Sequence, residues 1–220
     1  MNRVNYVKDL NNLVGSVESM GEALLNTLDK VIANLENKDT SLAHQIIADD
    51  DIFDNQELEI EKQCFSLLLL QAPVAGDLRE ISSILKLVGD LERIADHCSD
   101  ISQYTLQLAD YEKVQMPDNF MSMLEIMRSM VKDSITAISS NDAELAKVII
   151  ATDNEVDKYF YQMRQDLTKL MQEKPYFVPQ YVNYLMIAKY VERIADHATN
   201  IAEWVIYIVK NELAENNNPA

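Results

Sequence analysis

The sequence predicts an all-α protein built from two tandem antiparallel three-helix bundles. The string Glu-Arg-Ile-Ala-Asp-His occurs twice, at residues 92–97 and 192–197, which indicates an internal duplication. Only 4 Gly and 5 Pro occur among 220 residues, too few for the many tight turns of a sandwich or barrel. Apolar residues recur at helical spacing, first between Leu10 and Leu35. A pseudo-twofold repeat of helical units is therefore expected.

The first half contains three predicted helices. The apolar periodicity places them at 4–37, 40–71 and 77–110. The segment 38–41 offers both a break and an N-cap, and Pro73 ends the second helix. Because an amphipathic helix needs a partner for its apolar face, three helices joined by short loops predict a bundle.

The second half repeats this scheme. Pro117 and Asp118 open a helix that extends to about residue 139, and the segment 140–142 breaks and recaps the chain. The next helix ends near residue 173, before two further prolines. The last helix carries the second copy of the repeated string.

Residues 112–117 are the predicted linker between a first domain at 1–111 and a second at 118–214. Asp50 corresponds to Asp153, an offset of 103 residues, whereas the two repeated strings are 100 residues apart. A shorter connection near the prolines of the second half accounts for the difference, since a true duplication tolerates length changes in loops.

Composition excludes several classes of partner. The net charge of −17, from 36 acids against 19 Lys and Arg, opposes binding to nucleic acid or to an anionic lipid surface. Cys64 and Cys98 lie in apolar helical patterns, as buried reduced thiols of a cytoplasmic protein would. No signal peptide is recognised, and the apolar runs are too short to insert directly into a membrane. Any association with a membrane is therefore expected to go through a partner.

Acidic residues form rows along predicted helices. Positions i and i+4 lie on one helix face, so Glu92 and Asp96 are neighbours beside the apolar stripe that contains Leu91 and Ala95. Glu57 and Glu61 continue a similar row on the second helix. The candidate metal ligands are Asp50, Asp54, Glu92, Asp96, Asp100, Asp153, Asp157, Glu192, Asp196 and Asn200.

These rows have two interpretations. Like charges at i, i+4 destabilise a helix, and acids that border a core need neutralisation, which favours an oxygen-rich site for a divalent or trivalent cation. A solvated acidic face without a ligand is the alternative. His97 and His197 are predicted to lie away from the apolar stripe, at the surface or behind the ligands. Arg93 and Arg193 are expected to pair with neighbouring acids, with anion binding as the alternative.

The chain contains the motifs Asp50-x-x-x-Asp54, PVAGDLR at 73–79, LERIAD at 91–96, Asp153-x-x-x-Asp157 and VERIADHATN at 191–200. With these motifs it resembles the PhoU family of phosphate-transport regulators over nearly all its length, and the resemblance implies two PhoU/spectrin-like three-helix bundles. Two features depart from the family pattern: Asp100 stands where the family often has Asn, and Phe177-Val178-Pro179 replaces the Asp77-Leu78-Arg79 of the first half. The first site is therefore expected to be the more negative.

The resemblance implies a cytoplasmic negative regulator of phosphate uptake and of the phosphate-starvation response, without catalytic residues. It implies an adaptor between the ATPase subunit of the phosphate ABC transporter and a phosphate-sensing histidine kinase. Multinuclear clusters of iron or zinc, with manganese or magnesium as alternatives, are expected on the acidic faces. A homodimer is left open.

Three other functions are weighed against this one. A carboxylate-bridged di-iron enzyme needs Glu-x-x-His, whereas His97 follows Glu92 by five residues. A metal-dependent phosphohydrolase is disfavoured because the adjacent pair reads Asp96-His97 and not His-Asp. A metal-free helical scaffold is the remaining alternative.

Overall fold

The all-α prediction is confirmed. A computed structural model describes residues 3–70, 75–114, 116–117 and 119–210, and within these ranges the regular structure is entirely helical. A short 3₁₀ helix, Pro175–Phe177, precedes the last α-helix. The α-helices are α1 (Arg3–Asn37), α2 (Thr40–Ala48), α3 (Asp50–Leu70), α4 (Ala75–Ala109), α5 (Asn119–Ser140), α6 (Ala143–Glu173) and α7 (Val178–Lys210).

Each half folds as an up-down-up bundle. In the first half, α3 runs antiparallel to α1, because Ser16 hydrogen-bonds Gln63 and Lys30 pairs with Asp49. The C-terminal ends of α1 and α4 meet where the Lys38 ammonium donates to the carbonyl of Leu108, 3.0 Å away, so these two helices are parallel.

The second half has the same arrangement. Lys210 at the end of α7 pairs with Glu144 at the start of α6, so these helices are antiparallel. Phe120 and Tyr184 stack edge to face near the starts of α5 and α7, which are parallel. The predicted pair of three-helix bundles is therefore present, while the boundaries 1–111 and 118–214 stay a prediction.

The first turn of each bundle is the same structure at an offset of 103 residues. Lys38 and Asn141 both adopt the left-handed conformation, with φ of 53° and 50°. The next residue in each half, Asp39 or Asp142, is an N-cap whose carboxylate accepts two backbone N–H groups of the following helix. The predicted breaks at 38–41 and 140–142 are confirmed.

The prediction of one continuous helix over 40–71 was wrong, because the helix is interrupted at Asp49 and forms two helices, α2 and α3. This residue ends α2 with ψ near −7°, and its carboxylate turns toward Lys30, 3.7 Å away. Asp49 begins three consecutive aspartates, and both the poor helix propensity of Asp and their mutual repulsion favour a break there. The equivalent residue, Thr152, lies inside the uninterrupted α6.

Other boundaries differ by small amounts. Helix α4 begins at Ala75 instead of Asp77, and Pro179 lies in the first turn of α7, where a missing N–H is tolerated. Pro73 and Asp118 lie outside the described residues. Helix α6 ends 103 residues after the end of α3, and the 3₁₀ helix begins 100 residues after the start of α4. The connection between these two points is three residues shorter in the second half, which is where the change of offset was predicted.

The two bundles share one continuous core. Helices α1 and α5 approach closely at Gly21, where a β-carbon would lie 2.9 Å from the side chain of Ile135. Arg128 forms a two-pronged ion pair with Asp29 further along the same contact. None of the described helices is both long and apolar enough to cross a membrane.

The prediction that His97 is a surface residue was wrong, while the alternative position of His97 and His197 behind the metal ligands stays a prediction. Helices α4 and α7 cross antiparallel, and the two imidazoles meet at the crossing with ring centroids 5.5 Å apart. His97 is only 8% exposed. Asp90 bonds His197 at 2.8 Å, and Tyr190, its counterpart at an offset of 100, stacks on His97. A single bundle leaves these positions outside its core, but the second bundle covers them.

Candidate metal centres on two acidic faces

The first acidic face lies where α3 and α4 pack side by side in opposite directions. It consists of Asp50, Asp54 and Glu57 from α3 and Glu92 and Asp96 from α4. One carboxylate oxygen from each of Asp54, Glu92 and Asp96 can be chosen so that all three lie within 4.8 Å of one another. Asp54 is 38 residues from Glu92 and 42 residues from Asp96 in the sequence. Their carboxylates nevertheless converge at one place, as the two predicted acidic rows require.

Burial and mutual repulsion disfavour the charged forms of these acids. Partial desolvation, followed by the charge of Asp96, raises the pKa of Glu92 to about 7. Desolvation, followed by Asp96 and Asp54, raises the pKa of Asp50 to about 6, while the Ser99 hydroxyl acts in the opposite direction. At neutral pH the face therefore holds negative charge that the surrounding protein does not fully compensate.

Glu57 belongs to this face although it was not among the predicted ligands. Desolvation and the charges of Glu61 and Asp54 raise its pKa. Its carboxylate lies over α4 at Gly89, where an added β-carbon would be 3.3 Å from the Glu57 Oε1 atom. A glycine inside a helix costs about 1 kcal/mol relative to alanine, and here it leaves room for the carboxylate. The in-line spacing with Asp54 and the unusual helical glycine were the available signals.

Arg93 supplies some positive charge at this face. Its guanidinium lies 2.8 Å from Asp96 and 3.6 Å from Glu92, as the ion-pair interpretation of this arginine predicted. The arginine is largely exposed, so solvent screens both pairs. It also lowers the pKa of Glu92, but less strongly than burial and Asp96 raise it.

The second acidic face lies between α6 and α7 and consists of Asp153, Asp157, Glu192 and Asp196. Desolvation, then Asp196 and Asp157, raises the pKa of Asp153 to about 6. Desolvation, then the same two acids, raises the pKa of Glu192 to about 7. The pKa of Asp196 is also raised, by burial and by Asp157. The four carboxylates are thus close enough to repel one another, as in the first face.

The second face lacks the additional acids of the first. At the offsets of 103 and 100 residues, Phe160 replaces Glu57, Arg164 replaces Glu61 and Lys189 replaces Gly89. Arg164 lies over the ring of Tyr161. At these three positions the first half has two more acids and two fewer basic residues than the second, while the expectation that the first metal site is the more negative stays a prediction.

Asp100 and Asn200 point toward the crossing of α4 and α7. The Asp100 carboxylate lies 3.3 Å from His97 Nδ1, and the Asn200 amide donates to Asp90 across the two bundles at 3.1 Å. Asp100 still raises the pKa of Asp50, as the weakest of several causes. The other eight predicted ligands divide between the two acidic faces, four on each.

The donor set of the first face fits a hard cation. Oxygens on opposite sides of a cation at metal–oxygen distances of about 2.0–2.6 Å lie about 4–5 Å apart, the scale on which Asp54, Glu92 and Asp96 converge. The thiols are unsuitable donors, because burial raises the pKa of Cys64 to about 12 and that of Cys98 further still. The carboxylates can hold a cation, and their raised pKa values mean that a cation would relieve repulsion.

Comparison with known proteins identifies the family. The PhoU domain matches twice, at residues 17–105 and 120–205. The phosphate-specific transport system accessory protein PhoU homologs of Streptococcus pneumoniae and Clostridium acetobutylicum are each 32% identical to this chain, over 98% and 99% of it and 100% of the relative.

Two solved structures share the architecture. The phosphate transport system regulatory protein PhoU from Streptococcus pneumoniae superposes with a TM-score of 0.89 at 31% identity, covering 96% of this chain and 99% of that one. PhoU from Pseudomonas aeruginosa gives 0.91 at 30% identity, over 94% and 100%. With a duplicated domain match and relatives that align over their whole length, the chain belongs to the PhoU domain family.

Proposed function

We propose that this protein regulates phosphate transport as a non-enzymatic accessory protein in the cytoplasm, where it represses phosphate uptake and the phosphate-starvation response. Family membership over nearly the whole chain supports this role, because the relatives are named as accessory or regulatory proteins of phosphate transport. Those names describe regulation and no catalysis.

The mechanism that we propose is protein contact. The two bundles are joined by the buried α4–α7 crossing and by the α1–α5 contact, so they can present several surfaces in a fixed relation. Such a body can contact the ATPase subunit of a phosphate ABC transporter and a phosphate-sensing histidine kinase at the same time. Helical surfaces and charge carry the recognition in this scheme, and no bond in a substrate is broken.

The acidic faces are proposed to hold metal, as multinuclear clusters of iron or zinc, or of manganese or magnesium. One observation carries this part: carboxylates of two separate helices converge within 4.8 Å, at Asp54, Glu92 and Asp96. A bound cation supplies positive charge that fixes α3 against α4 and α6 against α7. The protein's own residues position the oxygens, and Arg93 balances part of their charge.

Elemental analysis of protein purified without chelator tests the metal proposal. We expect bound transition metal in the wild-type protein and its loss when Asp96 and Asp196 are both replaced by Ala. The control is Glu125→Ala/Glu155→Ala, which removes two exposed acids that lie outside both acidic faces. Equal metal content in the two double variants would refute the assignment of the ligands.

The metal-free scaffold stays a second candidate because Arg93 already pairs with two acids of the first face. A cation that binds only the folded state must raise the melting temperature. We expect such a rise with at least one of iron, zinc, manganese or magnesium. The absence of any rise across all four metals would favour the scaffold.

A pull-down from membranes tests the adaptor proposal. We expect this protein to retain both the transporter ATPase and the sensor kinase, and deletion of its gene to raise expression from a phosphate-starvation reporter in phosphate-rich medium. A deletion that leaves the reporter unchanged would contradict the regulatory role. Oxygen consumption by the iron-loaded protein is expected to be absent, and measurable turnover would favour the di-iron enzyme.

A further inference from the structure

We propose that the outer face of α3 is a docking surface for a basic amphipathic helix of a partner protein, an inference that rests on the proposed adaptor function. Three large apolar side chains are exposed there: Leu58 at 49%, Phe65 at 52% and Leu69 at 82%. Spacings of seven and four residues place them within about 40° around the helix and along about 16 Å of its length. We call these three residues the α3 stripe.

The α3 stripe faces away from the bundle. The opposite side of α3 packs its buried residues Phe53, Ile60 and Cys64 into the core. Among the described residues, helix α3 contacts α1, α2 and α4 of its own bundle and no helix of the second half. Within the described residues, no element of the fold therefore covers the stripe.

The duplicated half shows that the fold does not require this stripe. At the offset of 103 residues, the stripe positions on α6 are Tyr161, Thr168 and Gln172, all exposed. The core positions remain apolar in the same register, since Met163 replaces Ile60 and Leu167 replaces Cys64. One helix of this molecule thus folds with mainly polar residues where the other exposes apolar ones. Stability of the bundle does not explain Phe65 and Leu69.

The acidic charge around the α3 stripe favours a basic partner. Helix α3 contains six acids and one lysine, and that lysine, Lys62, already pairs with Glu59 at 3.7 Å. Asp51, Asp54 and Glu61 lie within about 60° of the stripe on the helical wheel. A second copy of this chain would bring the same acids together at a net charge of −17, and anionic lipid would be repelled in the same way. A partner helix with a leucine-rich face can pack on the α3 stripe, while Lys or Arg residues beside that face pair with the surrounding acids.

The test uses two synthetic 18-residue amphipathic peptides with the same leucine face, one flanked by lysines and one by glutamates. Binding is followed by fluorescence anisotropy with EDTA at physiological ionic strength, which screens non-specific attraction to the acidic chain. We expect the lysine peptide to bind and the glutamate peptide not to bind. Phe65→Thr/Leu69→Gln, which installs the residues of α6, should weaken binding at least tenfold while the helical circular dichroism and melting temperature stay unchanged.

The control is Tyr161→Gln on the matching face of α6, which should leave binding unchanged. Equal binding by the wild-type protein and Phe65→Thr/Leu69→Gln, or equal binding of both peptides, would overturn the proposal. Sedimentation equilibrium tests whether a second copy of the chain covers the stripe instead. A wild-type dimer that dissociates in Phe65→Thr/Leu69→Gln would assign the stripe to that second copy and refute the proposal.

The starvation reporter separates this inference from the function on which it rests. Failure of the gene deletion to raise the reporter counts against the proposed function. If the deletion raises it, we expect Phe65→Thr/Leu69→Gln to raise it as well, and Tyr161→Gln to leave it low. A reporter that responds to the deletion while Phe65→Thr/Leu69→Gln behaves as wild type would overturn the docking surface alone.

Discussion

The two acidic faces share four carboxylates and differ in what surrounds them. Asp50, Asp54, Glu92 and Asp96 of the first face correspond to Asp153, Asp157, Glu192 and Asp196 of the second, at offsets of 103 and 100 residues. Only the first adds Glu57 and Glu61, whereas the second has Phe160 and Arg164 at those positions. The framework of the site has thus been kept in both halves while its total charge has diverged.

The shared part behaves alike in the two halves. The pKa is raised to about 7 at both Glu92 and Glu192, and to about 6 at both Asp50 and Asp153. Burial is the largest cause at all four residues. The second cause is the charge of Asp96 in the first face and the charge of Asp196 in the second. Because each environment is set by the same helix pairing, the duplication reproduced a local electrostatic arrangement as well as a fold.

The largest effect is expected when one face is disabled at a time. We expect Zn²⁺ titration calorimetry of the wild-type protein to show a tighter class of sites on the more acidic first face and a weaker class on the second. Asp54→Asn/Asp96→Asn should remove the tighter class, and Asp157→Asn/Asp196→Asn the weaker one. Each loss should be about 100-fold or more, because two charged ligands of a shared site are removed. The opposite assignment would show that charge does not rank the faces.

A smaller effect is expected from pH. The folded-state pKa values of Glu92 and Glu192 lie above the ordinary value of 4.5, so the folded chain binds more protons than the unfolded chain between about pH 4 and 7. Stability of the metal-free protein should therefore fall as pH rises through this window. With solvent screening allowed for, we expect about 1 kcal/mol from each glutamate and a melting temperature about 5 °C lower at pH 8 than at pH 5.

Isosteric variants provide the control for the pH effect. Glu92→Gln and Glu192→Gln should each flatten the pH profile by a similar amount, since the two pKa values are alike. Saturating Zn²⁺ should instead stabilise the protein more strongly at the higher pH, because protons and metal compete for the carboxylates. A profile that both variants leave unchanged would assign the pH dependence to the other acids of the two faces, such as Asp50 and Asp153, or to the net charge of the chain.

Most of the fold and of the two faces could be predicted from the sequence. Asp39 and Asp142 predict the turns through their cap positions, and the i, i+4 spacing predicts that the acids of the repeated string lie on one side of a helix. These are local properties, and both halves repeat them. The break at Asp49 was missed because the buried residues Ile46 and Phe53 are seven residues apart, a helical spacing that spans the three aspartates between them.

The α4–α7 crossing was not predicted, because the apolar stripe of each helix indicates only its contacts within one bundle. Asp90, His97 and Tyr104 are spaced by seven residues, and Tyr190, His197 and Trp204 repeat that spacing. A second stripe of aromatic and histidine residues, away from the first apolar stripe, was the available signal. Which surface of the other bundle covers such a stripe depends on long-range packing that one sequence does not specify.

A more modest effect is expected at Gly89. In Gly89→Ala, the new β-carbon would meet the Glu57 carboxylate at 3.3 Å and displace it, while the helix gains about 1 kcal/mol from the better propensity of alanine. We expect a higher melting temperature without metal and an affinity of the first face for Zn²⁺ reduced about tenfold. Lys189→Ala is the matched change on α7 and should not weaken the second face. Unchanged affinity in Gly89→Ala would remove Glu57 from the site.

The smallest effect is expected at the helix break beside the first face. Asp49→Thr installs the residue found at position 152, where α6 continues without a break. The variant loses an ion pair of 3.7 Å between two partly exposed groups, worth at most about 1 kcal/mol, and relieves repulsion among three consecutive aspartates. These terms oppose each other, so the free energy of unfolding should change by less than about 0.5 kcal/mol in urea. Thr152→Asp is the reciprocal control. If Zn²⁺ affinity at the first face nevertheless falls in Asp49→Thr, the break itself positions Asp50, and the faces differ in backbone geometry as well as in charge.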